Sequence, residues 1–341
     1  MQNAVELKTW PSARVAPDAK VFVAIIVLCV IAAAVFASWL PLQVSIVTLF
    51  LFAGPHNWFE LRYFLMRLPV RFGRSRNFFL TAFAGLGVLT LTYVSLPFLY
   101  NAILWSEEAW YVVVASWNTA LLVWLALLVW IRSRQKRSAN WKWTIPVALA
   151  LCSLNWLGPD LFSLVIVYVH PLIALWFLDR HIRRKRPEWL HAYRRCLWIV
   201  PVVLAVMIWQ LSLARPLADD NGLFWRITQH SGAEVLPQVS SHMLVSVHLF
   251  LEMLHYGVWI IALPLIGRIG SARFWEVRSV PIARHPNGFP RIVAGLLIIA
   301  LVAVVGLWFG FSVDYAMTRD VYFTIAIAHV LAEAPFLLRM L

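Results

Sequence analysis

Acidic residues are scarce in this chain. Its 341 residues include only 16 Asp and Glu, and all charged residues together make up 13 %, about half of the roughly 25 % typical of a soluble globular protein. That shortage excludes an ordinary water-facing surface around a soluble core. Cysteine is sparse as well. Cys29, Cys152 and Cys196 are the 3 in the chain; they lie in or beside apolar segments and none forms a CxxC pair. A disulfide framework and a thiolate metal site are therefore not expected. The first twenty residues, MQNAVELKTWPSARVAPDAK, are polar, with no short apolar core followed by a small-residue cleavage site. No removed signal peptide is expected, and the first apolar run is itself read as a span. There is no low-complexity tract and no strong internal repeat.

What the chain does contain is apolar sequence in long continuous runs, 62 % of it hydrophobic, with 19 Trp. Continuous runs of this length predict an all-α polytopic membrane bundle, whereas a β-barrel would show short alternating segments. The net charge of +13 needs no nucleic acid to explain it, because the basic residues sit between apolar runs, where topology places them. Ten spans are expected, at about 21–40, 43–67, 78–100, 109–131, 143–158, 160–179, 193–213, 240–267, 291–312 and 317–338, each near the ~20 residues that cross a hydrocarbon core. Basic connectors alternate with neutral ones. Lys8, Arg14 and Lys20 precede the first span; Arg67, Arg71, Arg74 and Arg76 follow the second. The runs RSRQKRSANWK and DRHIRRKRPEW, with Arg194 and Arg195, follow the fourth and sixth, and Arg268, Arg273, Arg278 and Arg284 follow the eighth. The alternation predicts both termini in the cytoplasm, residues 1–20 as a cytoplasmic segment and residues 21–341 as one transmembrane domain. Residues 215–239 form the longest external loop, with room for a short interfacial helix. The expected location is the inner membrane of a bacterium.

Polar residues inside these spans are concentrated on four of them. The second span carries His56 and Glu60, and the sixth carries His170, with Asp179 and His181 at its inner end. The eighth carries His242, His248, Glu252 and His255, and the tenth His329 and Glu333. All four are predicted to run outside to inside, and His56, His170, His248 and His329 lie 13, 10, 8 and 12 residues into their spans. Their matched depth places them near the bilayer centre. His56–Glu60, His248–Glu252 and His329–Glu333 are i, i+4 pairs, each on one helix face. His248, Glu252 and His255 share a stripe whose Glu-x-x-His step occurs in carboxylate-bridged metal sites of helical bundles. Pro55, Pro171 and Pro335 stand beside or near these groups and open the helix backbone locally.

A charge at the bilayer centre costs ~2.5–3.5 kcal/mol on insertion scales, so three carboxylates need a cation, a proton or a salt bridge. Taken singly, an intramembrane histidine is ordinarily a packing or hydrogen-bonding residue; four helices with histidines at one depth point instead to a site. Imidazoles with carboxylates suit non-haem iron, with zinc as the plainer occupant. Glu60 also has Arg62 and Arg67 within reach toward the cytoplasmic side. Topology accounts for Asp179 and His181. His191, His230 and His285 lie in connectors and are expected to be solvated; the Pro-Asn-Gly after His285 reads as a turn.

The Pro55-His56-Asn57-x-x-Glu60 helix resembles the Pro-His-Gly-x-x-Asp helix of the Brp/Blh membrane carotene dioxygenases, with Asn for Gly and Glu for Asp. The stretch HYGVWIIAL from His255 to Leu263 is similar to a late helix of that family, although the histidines here precede Trp259. The resemblance implies histidines from several helices holding iron, His56 among them, and oxygen-dependent cleavage of a carotenoid. The HxxxH and HxxHH boxes of membrane desaturases are absent. The expected activity is thus a membrane metal-dependent oxygenase acting on a lipid-soluble carotenoid or other isoprenoid, with membrane lipids around it. His56, His170, His248, His255 and His329 form the ligand pool for one or two iron ions. Glu252 is the candidate catalytic carboxylate, completing the ligand set or bridging to a second ion, and Glu60 and Glu333 orient imidazoles from behind. Two other classes stay open: a bis-His haem electron carrier and a proton-coupled transporter with a His/Glu relay.

Overall fold

The computed structural model describes residues 19–69, 72–103, 106–135, 141–267, 276–277, 280–285 and 288–340. Most of the N-terminal segment, the basic run at 136–140 and Arg71, Arg268, Arg273 and Arg278 lie outside the described residues. Among the described residues there is no strand, and the chain is an all-α bundle. Its helices are α1 (Ala19–Trp39), α2 (Pro41–Arg67), α3 (Arg76–Ile103), α4 (Glu107–Gln135), α5 (Thr144–Leu157) and α6 (Pro159–Lys185). They continue with α7 (Leu190–Cys196), α8 (Ile199–Leu211), α9 (Gly222–His230), α10 (Ser241–Gly257), α11 (Leu263–Gly267), α12 (Pro281–Arg284), α13 (Pro290–Val313) and α14 (Tyr315–Met340).

Eight helical segments are long and apolar enough to cross a membrane by length and composition, which makes this an integral membrane protein. They are α1, α3, α4, α6, α7 joined to α8, α10 continued to Ile266, α13 and α14. The other two expected spans differ from these for opposite reasons. Helix α2 is long enough at 27 residues, but Gln43, His56, Asn57, Glu60 and Arg62 dilute its apolar character. Helix α5 is apolar but has only 14 residues, so at ~1.5 Å rise it reaches about 21 Å, short of the ~30 Å hydrocarbon core. Outward faces are covered in large apolar side chains. On α13, Ile298, Ile299, Leu301, Val302, Val305 and Phe309 are all exposed, a surface suited to acyl chains and foreign to a water-soluble protein.

The bundle is layered. Helix α10 is its axis: two-thirds of its apolar stretch is buried, where every other spanning segment is one-third buried or less. It packs on α1, α6 and α2, while α14 packs on α3 and α13 leans on α2. Some buried polar groups are satisfied between helices rather than left to lipid. Asn118 of α4 donates to Asn155 Oδ1 (2.9 Å) and Asn155 donates to the Ala115 carbonyl (2.8 Å), both side chains being fully buried. This pair ties the short α5 and the α5–α6 turn to α4.

The α2–α13 crossing depends on Gly54. A Cβ there would stand 3.0 Å from Val304 Cγ1 and 3.2 Å from Val304 Cα, so the two backbones approach as closely as they do only because position 54 has no side chain. Gly54→Leu is expected to wedge α13 away and to cost about 1–3 kcal/mol, the usual cost of overpacking. A lowered thermal midpoint in detergent, followed by tryptophan fluorescence, is the measurement; an unchanged midpoint would show that the crossing tolerates the extra volume.

Candidate metal centre

Four helices bring imidazoles and carboxylates to one place. Helix α2 supplies His56 and Glu60, α6 supplies His170, α10 supplies His255, and α14 supplies His329 and Glu333. Ring centroids of His56 and His255 are 5.4 Å apart, of His56 and His329 5.3 Å, and of His255 and His329 6.1 Å. His170 joins from the other side, 4.8 Å from His255 and 5.2 Å from His329. His56, Glu60, His255 and His329 each offer a ligand atom within 4.8 Å of the other three, and His170, His255 and Glu333 do the same. His255 belongs to both sets. His56, Glu60, His255 and Glu333 are 0, 1, 3 and 1 % exposed, so the groups meet away from solvent.

Local backbone features aim these side chains. Pro55, Pro171 and Pro335 lie inside α2, α6 and α14; each lacks an N–H, so the helix hydrogen bond it would make to the carbonyl four residues earlier is missing. Directly after α10 the chain widens into a π-helical turn, Val258–Ala262, a feature that recurs where a helix must re-aim side chains at a functional site. The state of His56 follows from its partner. Nδ1 lies 2.9 Å from the Phe52 carbonyl oxygen; a carbonyl only accepts, so Nδ1 carries the proton and Nε2 keeps a free lone pair. Among the described residues that Nε2 has no hydrogen-bond partner, nor do either nitrogen of His255, Nδ1 of His329 or either oxygen of Glu60. Glu333 Oε2 is 3.2 Å from His170 Nδ1, an ion-pair distance, but the pair is not aligned as a hydrogen bond. Among the described residues no ion pair joins Glu60 to an arginine; Arg67 donates to His181 Nδ1 at 3.0 Å.

A second group forms one layer away. His248, Glu252 and His230 have ligand atoms within 4.8 Å of one another. His248 Nδ1 is 3.8 Å from Glu252 Oε2, and the His230 ring is 5.2 Å from that of His248 and 3.9 Å from Phe323. The structure thus divides the expected ligand pool. His56, His170, His255 and His329 come together, with Glu60 and Glu333 close enough to be ligands themselves. His248 and Glu252 group with His230, a residue expected to be solvated. His230 is drawn in because α9 folds back against the bundle: the Asn221 side chain accepts from Phe224 N at 2.8 Å to start the helix, and buried Ile227 packs with Leu42 and Val245. Burial, with Arg319 and His248 close by, holds the His230 imidazole well below its ordinary pKa and so neutral. One cavity of about 130 Å³ is lined by both groups, His56, His170, His255 and His329 on one flank and His230, His248 and Glu252 on the other.

The remaining candidates are engaged elsewhere. Asp179 accepts two hydrogen bonds from Arg194, at 2.7 and 3.0 Å, and His242 Nε2 is 2.9 Å from the Ser38 carbonyl. His191 is exposed, and Cys29, Cys152 and Cys196 are free thiols.

Beneath the centre, toward Arg67 and His181, lies a floor of aromatic rings. Phe64 stacks flat on Phe336 (4.3 Å, 2°), and Trp259 meets Tyr63, Phe64 and Phe177 at 5.4, 5.9 and 5.6 Å. Each ligand-bearing helix contributes to it one to two turns beyond its ligand, so the stripe that presents the imidazoles also closes the site to water from that end.

No protein-family model matches the chain, and no curated protein or solved structure matches it.

Loss of a direct ligand ordinarily costs more than the ~10–100-fold in metal affinity lost with an orienting neighbour. His56→Ala, His255→Ala and His329→Ala are therefore expected to lose bound metal, His255→Ala most completely because both sets include it, while His191→Ala keeps it. Elemental analysis of folded, purified variants is the check; metal retained in all three would show that these imidazoles hold no ion.

Proposed function

We propose that this protein is an intramembrane metal-dependent oxidoreductase, most simply a non-haem iron oxygenase, acting on a lipid-soluble substrate. The observation that carries the reading is the convergence of four imidazoles and two carboxylates, with buried nitrogen and oxygen atoms that have no other partner. Unpartnered buried polar groups are costly, and a divalent ion offsets that cost: two carboxylates balance its charge, and the free lone pairs of neutral imidazoles coordinate it. His56, Glu60, His255 and His329 would hold one ion, and His170 and Glu333, with His255, would complete its surroundings or hold a second. When bound, iron supplies the binding and activation of oxygen at positions the protein leaves open.

The chain's own groups do the rest. The Phe52 carbonyl fixes the tautomer and orientation of His56. Glu333 sets His170 by their close approach. The floor of Trp259, Phe64, Phe177 and Phe336 keeps water from the reacting groups. A centre walled by membrane-spanning helices suits a substrate dissolved in the acyl chains, and the resemblance of the α2 motif to carotene dioxygenases favours a carotenoid or another isoprenoid. The cavity of about 130 Å³ beside these rings favours a bare ion over haem, whose flat macrocycle needs a much larger slot between its two axial ligands.

Protein purified in detergent is expected to contain one or two irons per chain, to show no Soret band, and to consume oxygen when a carotenoid is supplied. A Soret band would replace this reading with a haem electron carrier. Protein free of metal, with the His and Glu residues still required in cells, would replace it with a proton-relay transporter.

A further inference from the structure

The metal centre has two unlike sides. One faces the small cavity shared with His230, His248 and Glu252, whose lining mixes these groups with Ile166, Val167 and Phe323. The other faces a larger cleft of about 680 Å³ between α2, α13 and α14. At its outer end Met317, Val321 and Ile325 line it and are 63, 45 and 55 % exposed on the lipid-facing surface. At its inner end are Glu60 and His329, both ligand candidates; Glu60 is buried, with neither carboxylate oxygen partnered. Small residues keep the passage clear, among them Ala303, Gly306 and Ala332. A Cβ built at Gly306 meets nothing within 4 Å, in contrast to one at Gly54 of α2, which would meet Val304, two residues from Gly306 on α13. Helix α13 thus packs closely on α2 at Gly54 and on α14 at Gly310, where a Cβ would stand 2.8 Å from Thr318 Oγ1, and leaves open space at Gly306.

From this geometry we infer that the cleft is a lateral portal, occupied by a single hydrocarbon chain of a membrane-dissolved lipid and delivering that chain end-on to Glu60 and His329. The apolar lining and the opening toward the acyl chains fit such an occupant, and a buried unpartnered carboxylate at the far end marks where the chain stops and chemistry begins. At about 30 Å³ for a water-sized group, the cleft takes roughly 20 heavy atoms, one long chain or isoprenoid segment with its remainder in the bilayer. The assignment of a reaction to the inner end rests on the metal-centre reading; occupancy of the cleft does not.

The test uses the full chain in phosphatidylcholine vesicles with a long-chain fatty alcohol bearing a terminal diazirine. After irradiation, adducts are mapped by peptide mass spectrometry. Labelling is expected at Leu61 and Ala332, deep in the cleft, as well as at the lipid-facing Phe309. Excess unlabelled fatty alcohol is expected to abolish the deep labelling and spare Phe309, because only the cleft is saturable. Gly306→Phe, which plugs the passage, is expected to lose labelling at Leu61 and Ala332 while keeping the wild-type metal content. Should that variant not fold, the competition measurement decides alone. Deep positions that stay unlabelled, label without saturation, or label equally in folded Gly306→Phe would overturn the portal. Metal-free wild-type protein with saturable deep labelling would instead overturn the centre and leave the portal standing.

Discussion

The structure turns on one constraint: a carboxylate or imidazole placed among apolar helices must find a partner inside the protein, because lipid offers none. Most polar groups in this chain meet that demand locally. Asn118 and Asn155 bond each other and nearby backbone, Asp179 takes Arg194, and His181 takes Arg67. Among the described residues, a dense group of buried imidazole and carboxylate atoms without a partner lies where α2, α6, α10 and α14 converge. There His56, His255, His329 and Glu60 keep atoms that no protein group satisfies. Other buried atoms also lack a partner, among them Thr90 Oγ1, Gln229 Oε1 and Ser246 Oγ, but here imidazole nitrogens and carboxylate oxygens from facing helices lie within 4.8 Å of one another, the arrangement a bound ion would complete.

Packing and chemistry share the same stripes. On α2 the face that presents His56 and Glu60 continues to Phe64; on α14 the face of His329 and Glu333 continues to Phe336, and these two phenylalanines stack. The wide turn after His255 brings Trp259 onto the same floor. The centre is therefore closed by packed rings below, narrow and lined with further imidazoles on the side of His230 and His248, and apolar and wide on the side of α13. Such asymmetry suits a reaction in which an apolar molecule approaches from lipid and small polar species approach from elsewhere.

Much of this was legible in the sequence. Long apolar runs determined the all-α membrane bundle, and the clustering of acids and histidines on four runs identified the helices of the centre. Depth was harder to read. Counting from an estimated span boundary matched His248 with the other three histidines, whereas His56, His255 and His329 lie fifteen, fourteen and fourteen residues beyond the observed starts of their helices. Seven residues separate His248 from His255, about 10 Å along a helix, too far for both to reach one ion from a single stripe. The shift of one layer also carried Glu252 out of the main group. His230 was missed although its short helix is amphipathic, with Leu223, Phe224 and Ile227 on one face; whether that face docks on the bundle or on lipid depends on Ile227 meeting Leu42 and Val245, a tertiary contact that spacing does not encode. The Pro55-His56 motif, by contrast, marked a residue that the fold does bring to the centre.

The proposed iron centre is defined by what would surround the ion. X-ray absorption at the iron edge of the purified protein measures this directly. The account predicts a first shell of nitrogen and oxygen with the outer-shell scattering of several imidazoles, without sulfur and without the pattern of a porphyrin. A shell containing thiolate sulfur, a porphyrin signature, or iron bound without imidazole would contradict it.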